Sequence, residues 1–245
     1  MIIRLFQLAY RPLVRRAAMS VLPGRPHHPG RPEAGRWTKR ETDELLRQTW
    51  RGVPELLRVA DLPHLPTVGN RHNVLLAAIT TAAYRALVQG GTPRAHAAQL
   101  VADLGWTVYG WGLRAVSLPQ SLLPGAAQGR LERTLNTLMV FPFSAPGAPG
   151  YEVETFADDQ GFHTNWTHCP PQTFVRKVAE QLGDLGDLDA FYQSWCLYDW
   201  PGADVLVHDG ATGHYERPRT LSRGDALCDM CWHAAPTTEG SSPCH

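Results

Sequence analysis

The first 168 residues of this 245-residue chain contain no cysteine. All five cysteines lie in the last third, at Cys169, Cys196, Cys228, Cys231 and Cys244. An odd number of cysteines does not fit a framework of paired disulfides, so we expect reduced thiols and a cytoplasmic protein. Any thiol chemistry is therefore expected between residues 163 and 233.

The chain also lacks an excess of charge of either sign. Lys and Arg together number 23, Asp and Glu number 23, and the formal net charge is +0. This balance argues against electrostatic binding to nucleic acid. One local exception is the N-terminal segment, where six arginines from Arg4 to Arg31 precede the first acidic residue, Glu33.

Long apolar runs are absent as well, since none approaches the ~20 residues that a membrane-spanning helix needs. We therefore expect no transmembrane segment. The opening Met1-Ile2-Ile3-Arg4 lacks the sustained apolar stretch of a secretory signal. The length suits one large domain that can bury a core without disulfide or metal support.

Residues 1–37 are predicted to form a basic amphipathic helix, over residues 4–21, followed by a Pro/Gly-rich loop. Two interpretations of the helix stay open. In the first, the helix packs on the protein body or on a second subunit, and the latter would make the protein a homo-oligomer. Alternatively, it docks on a membrane surface or another partner.

Residues 38–145 have the apolar periodicity of helices. Thr38 followed by Glu41 is a capping box that begins one of them. Asn70 is predicted to cap the next, and Gly90-Gly91 to end it. A loop rich in proline and glycine, Pro142 to Gly150, closes this helical part.

The apolar period changes to two after residue 150. We predict strands at 151–156 and 162–167, helices at 171–182 and 187–198, a short strand at 204–208, and strands at 214–221 and 226–233. The fold class is α+β, with an N-terminal helical layer on a mainly antiparallel sheet with two helices (ββααβββ) at 146–235. The two parts should share one core, and residues 236–245 should be frayed.

Cys228 and Cys231 form a C-x-x-C pair, which is typical of half a zinc site or a dithiol. The chain has no second pair at similar spacing, and residues three apart on a strand point to opposite faces. We therefore predict no tightly bound metal and no cofactor.

Two other cysteines stand near groups that could take part in chemistry. Cys196 and Asp199 are three residues apart at a predicted helix end, so thiol and carboxylate can share a face. They are either a nucleophile and proton-transfer pair or a buried cysteine beside a solvated aspartate. Cys169 precedes Pro170-Pro171 at a helix N-terminus, where the helix dipole lowers a thiol pKa.

The stretch from His168 to Trp232 resembles the L-2-amino-thiazoline-4-carboxylic acid hydrolase family. The resemblance rests on Cys169-Pro170, on Cys196-Leu197-Tyr198-Asp199, and on the run from Thr220 to Met230 that contains Gly224-Asp225 and Cys228-Asp229. Met230 stands where the family has an aromatic residue. The same stretch is also similar to vinyl-4-reductase-type domains, which bind small ligands and sometimes zinc.

The resemblance implies a hydrolase acting on a carbon–nitrogen or carbon–sulfur bond of a small cyclic amidine- or thiazoline-like molecule. The alternative is a non-catalytic module that binds a small ligand or zinc. The expected catalytic residues, converging on one pocket, are Cys196, Asp199, Cys169, Cys228 and Asp229. His168 and Arg223 are the expected substrate-binding residues, and either could supply the positive charge that an ionised thiol needs. Attack by a thiolate and activation of water by an aspartate both stay open.

Overall fold

The computed structural model describes residues 2–122 and 124–236. The predicted frayed tail therefore lies, beyond residue 236, outside the described residues. The helices are α1 Ile2–Val21, α2 Lys39–Ala60, α3 Val68–Gln89, α4 Arg94–Ser121, α5 Ala127–Val140, α6 Pro170–Leu182, α7 Asp187–Ser194 and α8 Asp199–Val207. The strands are β1 Glu152–Ala157, β2 Phe162–His168, β3 Tyr215–Glu216 and β4 Cys228–Trp232. The described residues contain no helix with the length and apolar character of a membrane span.

Threonine hydroxyls cap the first turns of α2 and α3. At α2 the Thr38 hydroxyl accepts from the Glu41 backbone N–H at 3.2 Å, and Glu41 accepts from the Thr38 N–H at 2.8 Å, which confirms the capping box. The predicted cap of α3 was wrong. Thr67, one turn earlier, accepts from the Asn70 N–H at 3.1 Å. The Asn70 side chain instead donates to the Ser144 carbonyl at 2.9 Å, which ties α3 to the loop after α5.

The largest core cluster joins helices from both parts of the chain. Its buried side chains include Leu75 of α3 and Val101 of α4 from the helical part, and Val175 of α6 and Phe191 of α7 from the later part. Helix α1 adds Ala17, which has no exposed surface. The α1 helix therefore packs on the body of the protein, and helices of both parts contribute to this cluster.

The sheet has the strand order β1-β2-β4-β3, and every neighbouring pair is antiparallel. This arrangement confirms the α+β class. Strands β2 and β4 are central, with Trp166 opposite Cys228 and Phe162 opposite Trp232. Because side chains alternate along a strand, Cys228 and Trp232 face the helices, whereas Cys231 faces the other side.

The predicted strand at 204–208 is wrong, because these residues end α8. A short apolar run such as Val205–Val207 has no period that separates a strand from a buried helix turn. The Asp204 carboxylate also accepts from the Gly213 N–H at 3.1 Å and contacts the buried His214 ring nitrogen at 2.9 Å, which holds the helix end against the following loop. The predicted strand at 214–221 is reduced to Tyr215–Glu216, so the later part is ββαααββ.

Candidate functional site

A cavity of about 360 Å³ lies between the helical layer and the sheet. This volume is within the range that holds small-molecule ligands. Most of the wall is apolar, with contributions from α3, α4, α5, α8 and the inner face of β4. The polar wall is concentrated where α8 begins and β4 starts, and contains Cys169, Cys196, Asp199, Arg217 and Cys228.

Asp199 is the carboxylate of this polar group. It is the first residue of α8, and its Oδ2 accepts from Arg217 Nη1 at 2.8 Å and from the Tyr215 hydroxyl at 3.3 Å. Its side chain is 19% exposed, whereas that of Arg217 is 1% exposed. Burial raises the pKa of Asp199 from 3.8 to about 6, although Arg217 and Tyr215 pull it down. Asp199 is therefore a carboxylate poised to exchange a proton near neutral pH.

Arg217 holds this carboxylate and stacks its guanidinium on the Trp200 ring, 4.7 Å from the ring centre. Its Nε and Nη2 atoms are buried and have no hydrogen-bond partner within the described chain. An unpaired buried donor costs free energy, so an acceptor on a bound molecule would stabilise this arrangement. Arg217 thus provides a fixed positive charge at the polar wall, and its Nε and Nη2 atoms are hydrogen-bond donors for a bound molecule.

The three cysteines of the polar wall are free thiols. Cys196 Sγ lies 3.1 Å from the Ser222 hydroxyl, and Cys228 Sγ accepts from the Leu221 N–H at 3.2 Å. Burial raises the pKa of Cys196 to about 12 and the pKa of Cys228 as well. Cys169 does precede the α6 N-terminus, but burial outweighs the Gln172 N–H and raises its pKa too. Burial therefore disfavours the ionised thiol that the sequence analysis expects at this site.

Three of the predicted site residues do not line the cavity. Asp229 lies on the outer face of β4 and pairs with Arg219 at 2.7 Å, because strand alternation turns it away from Cys228. His168 contacts the Gly150 carbonyl at 2.6 Å. Arg223 pairs with Asp189 at 2.9 Å on the surface. The prediction that Asp229 converges with the cysteines is wrong, and neither His168 nor Arg223 provides the positive charge beside the thiols.

Cys231 is also separate from the site, since it lies on the outer face of β4, 3.8 Å from His163 Nε2. It is disulfide-bonded, so the expectation of reduced thiols is wrong for this residue. Among residues 2–122 and 124–236 there is no group of three or more His, Cys, Asp or Glu side chains that could hold a metal ion.

Sequence reasoning missed Arg217 and most of the aromatic wall. The Tyr109 and Tyr198 rings stack at 5.7 Å, and the Tyr151 hydroxyl accepts from the Asn73 amide at 2.9 Å. Burial raises the pKa of each of these tyrosines, so their hydroxyls stay protonated. For Tyr109 the sequence holds a signal in its spacing of three from Trp106 on α4, but such spacing is more often a mark of a core than of a site.

The raised pKa of Asp199 makes a prediction for stability. A carboxyl group with a higher pKa in the folded state stabilises the fold at low pH, and this contribution is lost as pH rises through about 6. The difference from 3.8 corresponds to about 3 kcal/mol. Urea unfolding between pH 4 and pH 8 should show that Asp199→Asn, relative to the unsubstituted protein, gains about this amount towards high pH. Parallel pH profiles would contradict the assignment.

Comparison with known proteins found no matching family model, no matching curated protein and no matching solved structure.

Proposed function

We propose that the chain is a hydrolase acting on a carbon–nitrogen or carbon–sulfur bond of a small, largely apolar molecule, with Asp199 as the general base. The observation that carries the proposal is the placement of Asp199. It is a partly accessible carboxylate with a pKa raised to about 6, held by the fixed charge of Arg217 at the polar wall of a mostly apolar cavity.

In this mechanism Asp199 takes a proton from a water molecule as the water oxygen adds to the electrophilic carbon of the substrate. The bond from that carbon to nitrogen or sulfur then breaks, and Asp199 returns the proton to the leaving atom. The unpaired donors of Arg217 stabilise negative charge on the substrate, in a wall with little access for solvent water. The neutral thiols of Cys196 and Cys228 favour this route over attack by a thiolate.

The cavity wall also bears on the kind of substrate. The resemblance implies a small amino-acid-like thiazoline, but most of the cavity wall is apolar and includes Leu104, Val108, Leu135 and Met139. Apolar side chains contribute binding free energy only to apolar substrate surface. We therefore propose a substrate with a larger apolar part attached to the reacting C–N or C–S group.

The test is hydrolysis of cyclic amidines, thiazolines and amides that carry apolar substituents, followed by mass spectrometry of the hydrated product. Asp199→Asn should lower kcat/KM about 100-fold, because general base catalysis contributes 10²–10⁴-fold. The control is Asp189→Asn, an exposed carboxylate that should leave the rate unchanged. The rate should rise with pH through about 6 as Asp199 ionises. Full activity of Asp199→Asn would overturn the proposal.

A second candidate is a non-catalytic module that binds a small ligand. The mostly apolar wall and the neutral state of its thiols favour it, because both suit retention of an apolar molecule better than turnover. Native mass spectrometry distinguishes the two functions. A stoichiometric bound molecule that is released unchanged, without turnover of any substrate tested, supports the binding module, whereas a hydrated product supports the hydrolase.

A further inference from the structure

The outward face of α1 carries a strip of large apolar side chains. Ile2, Leu5, Leu8 and Leu13 are 40%, 57%, 63% and 40% exposed. With 3.6 residues per turn they lie on one side of the helix, opposite Val14, which is buried in the core. This strip is called the α1 apolar strip below. Burial of its side chains away from water would be favourable, at about 25 cal/mol per Å² of apolar surface.

Positive charge lies beside the α1 apolar strip. Arg4, Arg11 and Arg15 are at positions that follow one edge of it, and no acidic residue occurs before Glu33. Arg15 is offset by Asp43 at 3.2 Å, whereas Arg11 stacks on the Trp50 ring at 5.2 Å. An apolar strip with arginines along its edge is the pattern of helices that lie in the headgroup region of anionic membranes.

The same helix forms one wall of the cavity. Tyr10 and Val14 line it, and the Tyr10 hydroxyl lies 2.7 Å from His72 Nε2. Phe141 packs on the His72 ring with centres 5.3 Å apart, lines the cavity and is 45% exposed. Phe141 therefore connects the cavity with the surface of the protein beside α1.

We propose that α1 docks on an anionic lipid surface through the α1 apolar strip, and that the apolar molecule bound in the cavity comes from that lipid phase. The docking is independent of the chemistry, and the supply of the ligand rests on the proposed function. A lipid surface fits better than a second copy of the chain. A symmetric pairing of two α1 helices would place the same arginine edge on both sides, with no carboxylate in α1 to offset it.

The test is sedimentation of the full chain with vesicles of phosphatidylcholine alone or with one quarter phosphatidylglycerol. We expect binding to the anionic vesicles that weakens as salt increases. The double variant Leu5→Glu/Leu8→Glu should lower the partition coefficient at least about tenfold. Leu182→Glu, at the exposed end of α6 and 36% exposed, is the matched control and should bind as the unsubstituted chain does. Melting temperatures confirm that each variant folds.

Two outcomes would overturn the docking. One is an absence of vesicle binding by the unsubstituted chain. The other is a dimer in solution that Leu5→Glu/Leu8→Glu dissociates, which would assign the α1 apolar strip to a second copy.

The supply of the ligand from the lipid phase has its own test, in which the substrate is added either in solution or dissolved in the bilayer of anionic vesicles. We expect the double variant to retain turnover in solution and to lose it for the vesicle-delivered substrate. If the double variant turns over the dissolved and the vesicle-delivered substrate equally, the supply step is refuted and the proposed hydrolase function is unaffected.

Discussion

Replacing Arg85 by leucine should lower the free energy of unfolding by about 3–5 kcal/mol, because it leaves a buried carboxylate without its counter-charge. The side chain of Asp187 has no exposed surface, and that of Arg85 is 11% exposed. Arg85 Nε and Nη2 each donate to a carboxylate oxygen at 2.8 Å, which is the bidentate geometry of the strongest ion pairs. This pair fixes the start of α7 against α3.

Helix α7 also carries the carboxylate of an exposed ion pair, which serves as a matched control. Arg223 pairs with Asp189 at 2.9 Å, but the two side chains are 50% and 70% exposed. Arg223→Met should therefore cost less than about 1 kcal/mol. Guanidinium unfolding of both variants measures the difference. A loss below about 1 kcal/mol for Arg85→Leu would show that Asp187 finds water or another donor once the arginine is removed.

The buried thiols should resist alkylation. A pKa of about 12 leaves Cys196 with a thiolate fraction about 1,000-fold lower at pH 7 than a thiol at the ordinary value of 9.0. Iodoacetamide should therefore label Cys196 about 1,000-fold more slowly than free cysteine, and Cys169 and Cys228 should be slowed in the same direction. Peptide mass spectrometry resolves the three sites.

Denatured protein is the control, because unfolding returns all three thiols to ordinary solvation and should restore rapid labelling. The pH dependence separates ionisation from access, since a thiol limited by its pKa gains about tenfold in rate for each pH unit up to about 10. Rapid labelling of native Cys196 at pH 7 would reveal a thiolate and return covalent attack to consideration.

The sequence predicted those parts of the fold that local patterns determine. The change of apolar period near residue 150 separates helices from strands, and Thr38 with Glu41 specifies the start of α2. The spacing of Cys196 and Asp199 predicted that they share a face, and both line the cavity. A 3₁₀ turn from Cys196 to Tyr198 nevertheless stands where a continuous helix was predicted.

The rest of the site depends on contacts between distant segments. Arg217 follows a two-residue strand in a run without a recognisable motif, and only the packing of β3 beside α8 brings it to Asp199. Asp229, in contrast, was predicted at the site but does not line the cavity. It is next to Cys228 in sequence, but the register of β4 against β2 places it with Asn165, away from the cavity. Burial, which raised the thiol pKa values, is likewise a property of the assembled fold.

The two edges of the sheet have a consequence for self-association. Any sheet edge exposes backbone donors and acceptors that can pair with a strand of another chain. Here one edge is β3, only two residues long and followed within two residues by Pro218, which has no N–H to donate. The other is β1, which carries Glu152 and Glu154. A short strand with a proline and a strand with like charges both resist addition of a further strand, so we expect that copies of this chain do not polymerise through the sheet.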